Sequence, residues 1–323
     1  MLDNKAVEIY LLDKKGKAEE ISYENVDHID RKDKILWIHF DYTSPEAIDW
    51  ISNKSNIDSI AINALLTEET RPRTTILDDS LLIALRGVNL NPNSKPEDMI
   101  SIRLFVSCTL IISTRKRNLL SITEIINNLK KGIGPKSSAE FLIELTDQIT
   151  SRTEDIIDNI DERTSYLEEN IIDSSDLRFR NEIISIRRES ILLRRYLHPQ
   201  KEAMSKLYHD KITWINEYEK LELREINDQL IRHIEELDTI KDKVSLIQEE
   251  LSNILSDQMN KKMYVLSIIS AIFLPLGFLT GLLGINIGGI PGSQNEYAFY
   301  IFSLILVVIV GIQFIVFKRK RWL

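Results

Sequence analysis

MYVLSIISAIFLPLGFLTGLL, Met263 to Leu283, decides the fold. It holds no charged residue, and a second uncharged run, YAFYIFSLILVVIVGIQFIVF, covers Tyr297 to Phe317. At the helical rise per residue each run spans about 30 Å, one hydrocarbon thickness. Glycine-rich GINIGGIPG (Gly284 to Gly292) lies between them, so the pair reads as a membrane hairpin, too far along the chain to be a signal peptide.

Charge orients the hairpin. Lys261 and Lys262 precede the first run, Lys318, Arg319, Lys320 and Arg321 follow the second, and the connection carries only Glu296. Basic residues stay on the cytoplasmic side, which predicts cytoplasmic termini and an external loop. Tyr264, Tyr297, Tyr300 and Trp322 fall at interfacial depth, where amphipathic rings sit.

The first run is not uniformly apolar. In alternating steps of four and three, Ser256, Asn260, Met263, Ser267, Ser270, Leu274, Gly277, Gly281 and Gly284 share one helix face. Small residues let membrane helices approach closely, which is one reading of this line. The other is the lining of a water-filled path. A single hairpin cannot enclose such a path, so that reading requires an oligomer with the first span innermost.

The 262 residues before the first run hold all the Lys and Arg except the four at 318–321, and all the Asp and Glu except Glu296. That leaves 37 basic against 48 acidic side chains, a formal −11. An acidic balance argues against a nucleic-acid partner and suits either a cation or plain solubility. One cysteine, Cys108, allows neither an intrachain disulfide nor a cysteine-cluster zinc site, and within IRLFVSCTLIIST it reads as a buried, inert thiol.

The fold class is α+β: an α/β domain over 1–135, a helical stalk over 136–262, a first span over 263–283, an external loop over 284–296, a second span over 297–317 and a basic tail over 318–323. Strands are predicted at Val7–Asp13, Ile35–Tyr42, Ser80–Leu90, Ile100–Ser107 and Thr109–Thr114, from β-branched and aromatic residues between turn signals. Ser44 and Asp58 precede short helices at Pro45–Ser52 and near Asp58–Leu66. A short helix follows at Ile122–Lys131, broken by GIGP (Gly132 to Pro135). Long helices are expected over Ser138–Ile172 and Asp176–Leu197, with Asp176 as N-cap and Pro199 kinking or ending the second. A third starts near Thr213, carries a heptad-like seam at Leu237, Ile240, Val244, Ile247, Leu251 and Ile254, and runs unbroken into the membrane.

No constellation for catalysis is present. The sequence lacks a nucleotide-binding glycine pattern and a nucleophile elbow, so the chain does not read as an enzyme. His28, His39, His198, His209 and His233 form no His-x-x-x-His pair. His198 and Glu202 are four apart with Pro199 between them, and read as a surface pair rather than metal ligands. The acidic EDIIDNIDE (Glu154 to Glu162) reads as a solvated helix face.

Gly284-Ile285-Asn286 resembles the Gly-x-Asn signature of the CorA superfamily of divalent-cation transporters. FLPLGFLTGLLGINIGGIPG (Phe273 to Gly292) and the closing Lys-Arg-Trp-Leu are similar to its ZntB branch, the zinc transporters. RPR (Arg71 to Arg73), LRGVNLNP (Leu85 to Pro92), PEDM (Pro96 to Met99) and LRRYLHPQ (Leu193 to Gln200) resemble that branch in the same order, so the likeness covers nearly the whole chain.

The resemblance implies a funnel-shaped homopentamer in the inner membrane. Gly284, Ile285 and Asn286 would form its selectivity entrance, and zinc uptake would be coupled to protons. An uncharged amide at the mouth offers oxygen to the water shell of a dication without holding the metal as His, Cys or carboxylate would. Asn260, Ser267 and Ser270 would be further polar contacts, Met263 and Leu274 constrictions, and Gly277 and Gly281 part of the lining. Magnesium-selective members have Met in the middle of the motif and an acidic loop after it. Ile285 and the neutral GGIPGSQN depart from both, which favours zinc, with cadmium, nickel, cobalt and magnesium as related cargo. Neither span contains Asp, Glu or His, so no intramembrane proton relay is visible. The expected partners are further copies of the chain, lipids, dications and protons, with no cofactor. A magnesium or broad dication channel of the same architecture is the alternative. A membrane-anchored sensor or scaffold is a third reading, opposed by the polar line.

Overall fold

The computed structural model describes residues 6–28, 33–68, 71–171, 177–284 and 295–320. Residues 1–248 form one compact unit and residues 249–323 a second.

The first unit is built on a 7-stranded sheet. Its strands are β1 (Val7–Leu12), β2 (Ala18–Glu20), β3 (Ile35–Asp41), β4 (Arg73–Leu77), β5 (Ser80–Gly87), β6 (Ile100–Val106) and β7 (Leu110–Arg115), in the order β2-β1-β3-β7-β6-β5-β4. β3 and β7 pair in parallel, with Leu36 opposite Leu110, and the other described pairs are antiparallel. Alternate residues face opposite sides of a strand, so both faces of this sheet are apolar. On one face Ile9, Leu11, Leu36, Ile38, Phe40, Leu82, Phe105 and Ile112 form a core with Trp50, Ile51, Ala61 and Leu65. Those partners belong to α1 (Pro45–Asn53) and α2 (Ser59–Leu66), capped as expected by the Ser44 and Asp58 side chains. On the other face Trp37 meets Phe141 with ring centroids 4.8 Å apart.

β2 and β4 were not anticipated. β2 (AEE) is three residues long, and β4 (RTTIL) alternates exposed Arg73 and Thr75 with buried Thr74, as at a sheet edge. Neither carries the apolar alternation from which a strand is read. Cys108 is a correction. It is exposed, because the thiol falls on the connection between β6 and β7 and takes no part in the packing of either strand.

Helix α3 (Leu120–Lys131) ends at Gly132, whose φ of 80° closes it in the left-handed region that glycine enters without strain. α4 (Ser138–Asn170) and α5 (Leu177–His209) follow; Asp176, the expected cap of α5, lies outside the described residues. Pro199 does not end α5, so of the two expected outcomes, a kink or a stop, the stop does not occur. A proline inside a helix costs about 3 kcal/mol through its lost hydrogen bond and its ring clash. Here Leu193 and Leu197 before it, and Ala203, Met204 and Leu207 after it, are buried. The helix is also pinned to the sheet, since Thr74 Oγ1 donates to Ala203 O and Arg86 N–H to Gln200 Oε1, both at 2.8 Å.

α6 (Glu217–Gly284) is continuous over 68 residues. The Asn216 side chain starts it by accepting from the Tyr218 and Glu219 N–H groups at 2.9 and 3.0 Å. Leu237, Ile240, Val244, Ile247 and Leu251 of the seam are buried. Lys243 Nζ donates to Asp161 Oδ1 of α4 at 3.1 Å. α7 (Ala298–Arg319) is the last helix described.

Candidate functional site

The candidate residues lie in the second unit, where α7 is the neighbour of the first span. Ile268, Ala271, Ile272, Pro275, Leu276 and Leu279 are half-buried, and they recur at the spacing of one helix face. Phe302, Leu306, Ile309, Gln313 and Phe317 of α7 are likewise partly or fully buried. The faces meet where Gln313 Nε2 donates to Ala271 O at 3.3 Å.

Ser256, Asn260, Met263, Ser267, Ser270, Leu274, Gly277, Gly281 and Gly284 are all exposed. At 100° per residue their line is centred roughly 150° from the face that α7 covers. A Cβ built on Gly277, Gly281 or Gly284 meets nothing within 4 Å. The small residues therefore do not serve the packing of this hairpin. Ser267 Oγ donates to its own Met263 O at 2.8 Å, and Ser256 Oγ to Ser252 O at 2.9 Å. With the hydroxyl hydrogen bound inside the helix, each oxygen keeps lone-pair capacity towards the exposed side.

The outer surface of the hairpin is apolar. Leu266, Phe273, Phe278, Phe299, Leu304, Val307 and Ile315 are among its exposed side chains, and neither apolar window is buried within the chain. Contiguous apolar surface on this scale belongs against lipid or other chains. Lys318 and Arg319 occupy the last turn of α7, and Tyr264, Tyr297 and Tyr300 are exposed. Gly284 is the last residue of α6. Ile285 and Asn286 lie outside the described residues, as do Arg321 and Trp322.

The first unit brings no metal cage together: among the described residues no three His, Cys, Asp or Glu side chains are grouped to hold an ion. His198 is exposed, and Glu202 pairs with Lys201 at 3.4 Å. In the acidic run Ile157 and Ile160 are buried while Glu154, Asp155 and Asp158 are exposed, the solvated face expected of it. The sequence reading passed over Gln313, which it took as one more member of an uncharged span. The signal was an amide in one span facing a proline in the other.

The profile of the family described as "CorA-like Mg2+ transporter protein" matches residues 32–319. Zinc transport protein ZntB of Pectobacterium carotovorum subsp. carotovorum (strain PC1) is 36% identical over 318 residues, covering 98% of this chain and 96% of that one. Divalent cation transporter CmaX of Pseudomonas aeruginosa (strain PAO1) is 37% identical over 317 residues, covering 97% and 96%. The solved structure of full-length CmaX superposes with a TM-score of 0.86 at 35% identity, covering 100% of both chains. With a match of this extent, and with two membrane-length helices closing the chain, the protein belongs to the CorA family of divalent-cation transporters, in its ZntB-like branch.

Proposed function

We propose that the protein takes up zinc across the inner membrane through a central path enclosed by several copies of the chain. In that assembly, a funnel-shaped homopentamer, the first span (263–283) is innermost and the second (297–317) faces lipid. The 1–135 domain and the 136–262 stalk lie in the cytoplasm with both termini, and the 284–296 loop lies outside.

The observation that carries this reading is the direction of the polar line. The nine residues from Ser256 to Gly284 are exposed on the side away from α7, and a Cβ on any of their three glycines would meet nothing. Within the span, the Ser267 and Ser270 oxygens facing hydrocarbon would have lone pairs with no donor, whereas facing a shared water path they are solvated. Asn286 at the mouth, Asn260, Ser267 and Ser270 below it, and Met263 and Leu274 as constrictions then act in series on one ion.

The ion passes with its water. Bare zinc takes nitrogen or sulfur ligands in a tetrahedral cage, and neither span carries His or Cys. Amide and hydroxyl oxygens contact a hydration shell and release it again, which conduction requires. The relatives named as zinc transporters, together with Ile285 and the neutral loop, support zinc as the cargo. The family description and the broader name of CmaX favour a magnesium or general dication path as the second reading.

The test is zinc flux into liposomes holding the purified protein, under an imposed pH gradient and with magnesium as competitor. Zinc entry that rises with the proton gradient and ignores excess magnesium is the expected result. Magnesium flux, or block by magnesium, replaces it with the second reading. No flux of either ion from folded, oligomeric protein overturns both.

A further inference from the structure

Pro275 lies inside α6 and has no N–H, so the carbonyl of Ala271, four residues earlier, has no helical donor at that position. Both residues lie on the half-buried face towards α7. There Gln313 Nε2 donates to Ala271 O at 3.3 Å, across 42 residues of sequence. The other end of the same amide is not satisfied: Gln313 Oε1 is buried and has no hydrogen-bond partner among the described residues.

We infer that Gln313 is a positioning residue, supplying from the second span the hydrogen bond that Pro275 removes from the first. A leucine would suit hydrocarbon better than an amide, but it would leave Ala271 O bare where no water can reach it. The glutamine satisfies that carbonyl at the expense of its own oxygen. Because the bond joins the spans at the proline, it fixes how the first span is turned there. Leu274 and Gly277, the neighbours of Pro275 on the exposed line, are thereby held facing away from α7. The hydrogen bond stands on its own geometry. Its consequence for transport rests on the lining proposed above.

The experiment is a mutant cycle on the full-length protein: wild type, Q313L, P275A and the double variant. It reads zinc uptake in liposomes and thermal unfolding in detergent. Q313L is expected to lower the unfolding temperature and to cut the maximal uptake rate roughly three- to tenfold, the range for one hydrogen bond between membrane helices. The half-saturating zinc concentration stays unchanged, since the mouth is untouched. With P275A present, residue 275 again offers an N–H to Ala271 O, and adding Q313L produces no further loss in either readout. An equal loss from Q313L with and without P275A overturns the inference, as does a Q313L protein that behaves as wild type. Should P275A alone abolish uptake, the unfolding temperatures decide by the same criterion. Normal uptake by Asn286→Ala alongside the expected cycle would remove the entrance assignment and leave the Gln313 bond standing.

Discussion

Arg115 Nε donates to His39 Nε2 at 2.7 Å inside the sheet, where both residues are buried. His39 Nδ1 lies 2.7 Å from Ser113 Oγ, which also accepts from Trp37 Nε1 at 2.9 Å. Since Nε2 accepts, the neutral ring carries its proton on Nδ1 and donates to the serine. Burial, and then the Arg115 charge, hold the imidazole down at about 3.

This arrangement makes the first unit sensitive to acid. The folded state resists a proton that the unfolded chain binds near pH 6.5, so the contribution of His39 is complete above that value and is lost as pH falls towards 3. The expected slope is about 1 kcal/mol of stability per pH unit in that window. Unfolding followed by tryptophan fluorescence between pH 7 and pH 5 measures it. His39→Gln keeps an acceptor for Arg115 and removes the titration, so its curve should be shallower by that amount. Equal slopes would assign the acid sensitivity to other groups.

The two faces of the first span should respond differently to substitution. Gly277→Leu enters open space and replaces a poor helix former, so the stability of the chain should change by less than about 1 kcal/mol. In the proposed assembly the same side chain narrows the shared path, and zinc uptake should fall at least about tenfold. Leu276→Ala, on the face towards α7, should lower the unfolding temperature with a smaller effect on uptake. A Gly277→Leu protein that transports at the native rate would remove the lining role.

Asn286→Ala should lower zinc uptake about tenfold, because a methyl group offers nothing to a hydrated ion at the mouth. Its unfolding temperature should match that of the native protein. Uptake at the native rate would end the assignment of Gly284, Ile285 and Asn286 as the entrance.

Gly134 predicts a purely structural effect. A Cβ there would lie 2.6 Å from Leu129 Cδ2 and 2.9 Å from the Leu129 backbone nitrogen. Gly134 N–H also donates to Gly16 O at 2.9 Å, so the backbone has little freedom to retreat. Gly134→Ala should cost about 1–3 kcal/mol, as overpacking does, whereas Gly277→Ala should be neutral or slightly stabilising. Thermal unfolding of the two variants checks the contrast.

Much of the fold was legible because the signals are local. β1, β3, β5, β6 and β7 were read from apolar runs, and α1 and α2 from their caps, close to where they lie. What escaped depended on distant partners. β4 is a strand because β5 lies beside it, with Thr74 opposite Ile83. Pro199 is tolerated because β4 and β5 hold the turn of α5 that follows it. Cys108 was misplaced because its burial was inferred from the apolar residues on either side, although it lies in the gap between the two predicted strands.

The sequence by itself determined the hairpin, the shared face of the polar line and the family. Those follow from charge-free length, helical period and motif order, none of which needs a third dimension. Only the tertiary structure decided which face of the first span α7 covers, and hence that the line from Ser256 to Gly284 is left open. A period of 3.6 places residues on one side of a helix but carries no information about the neighbour on either side. The pairing of Gln313 with Ala271 was decided there as well, since a carbonyl stripped of its donor can be satisfied only by whatever group the fold brings beside it.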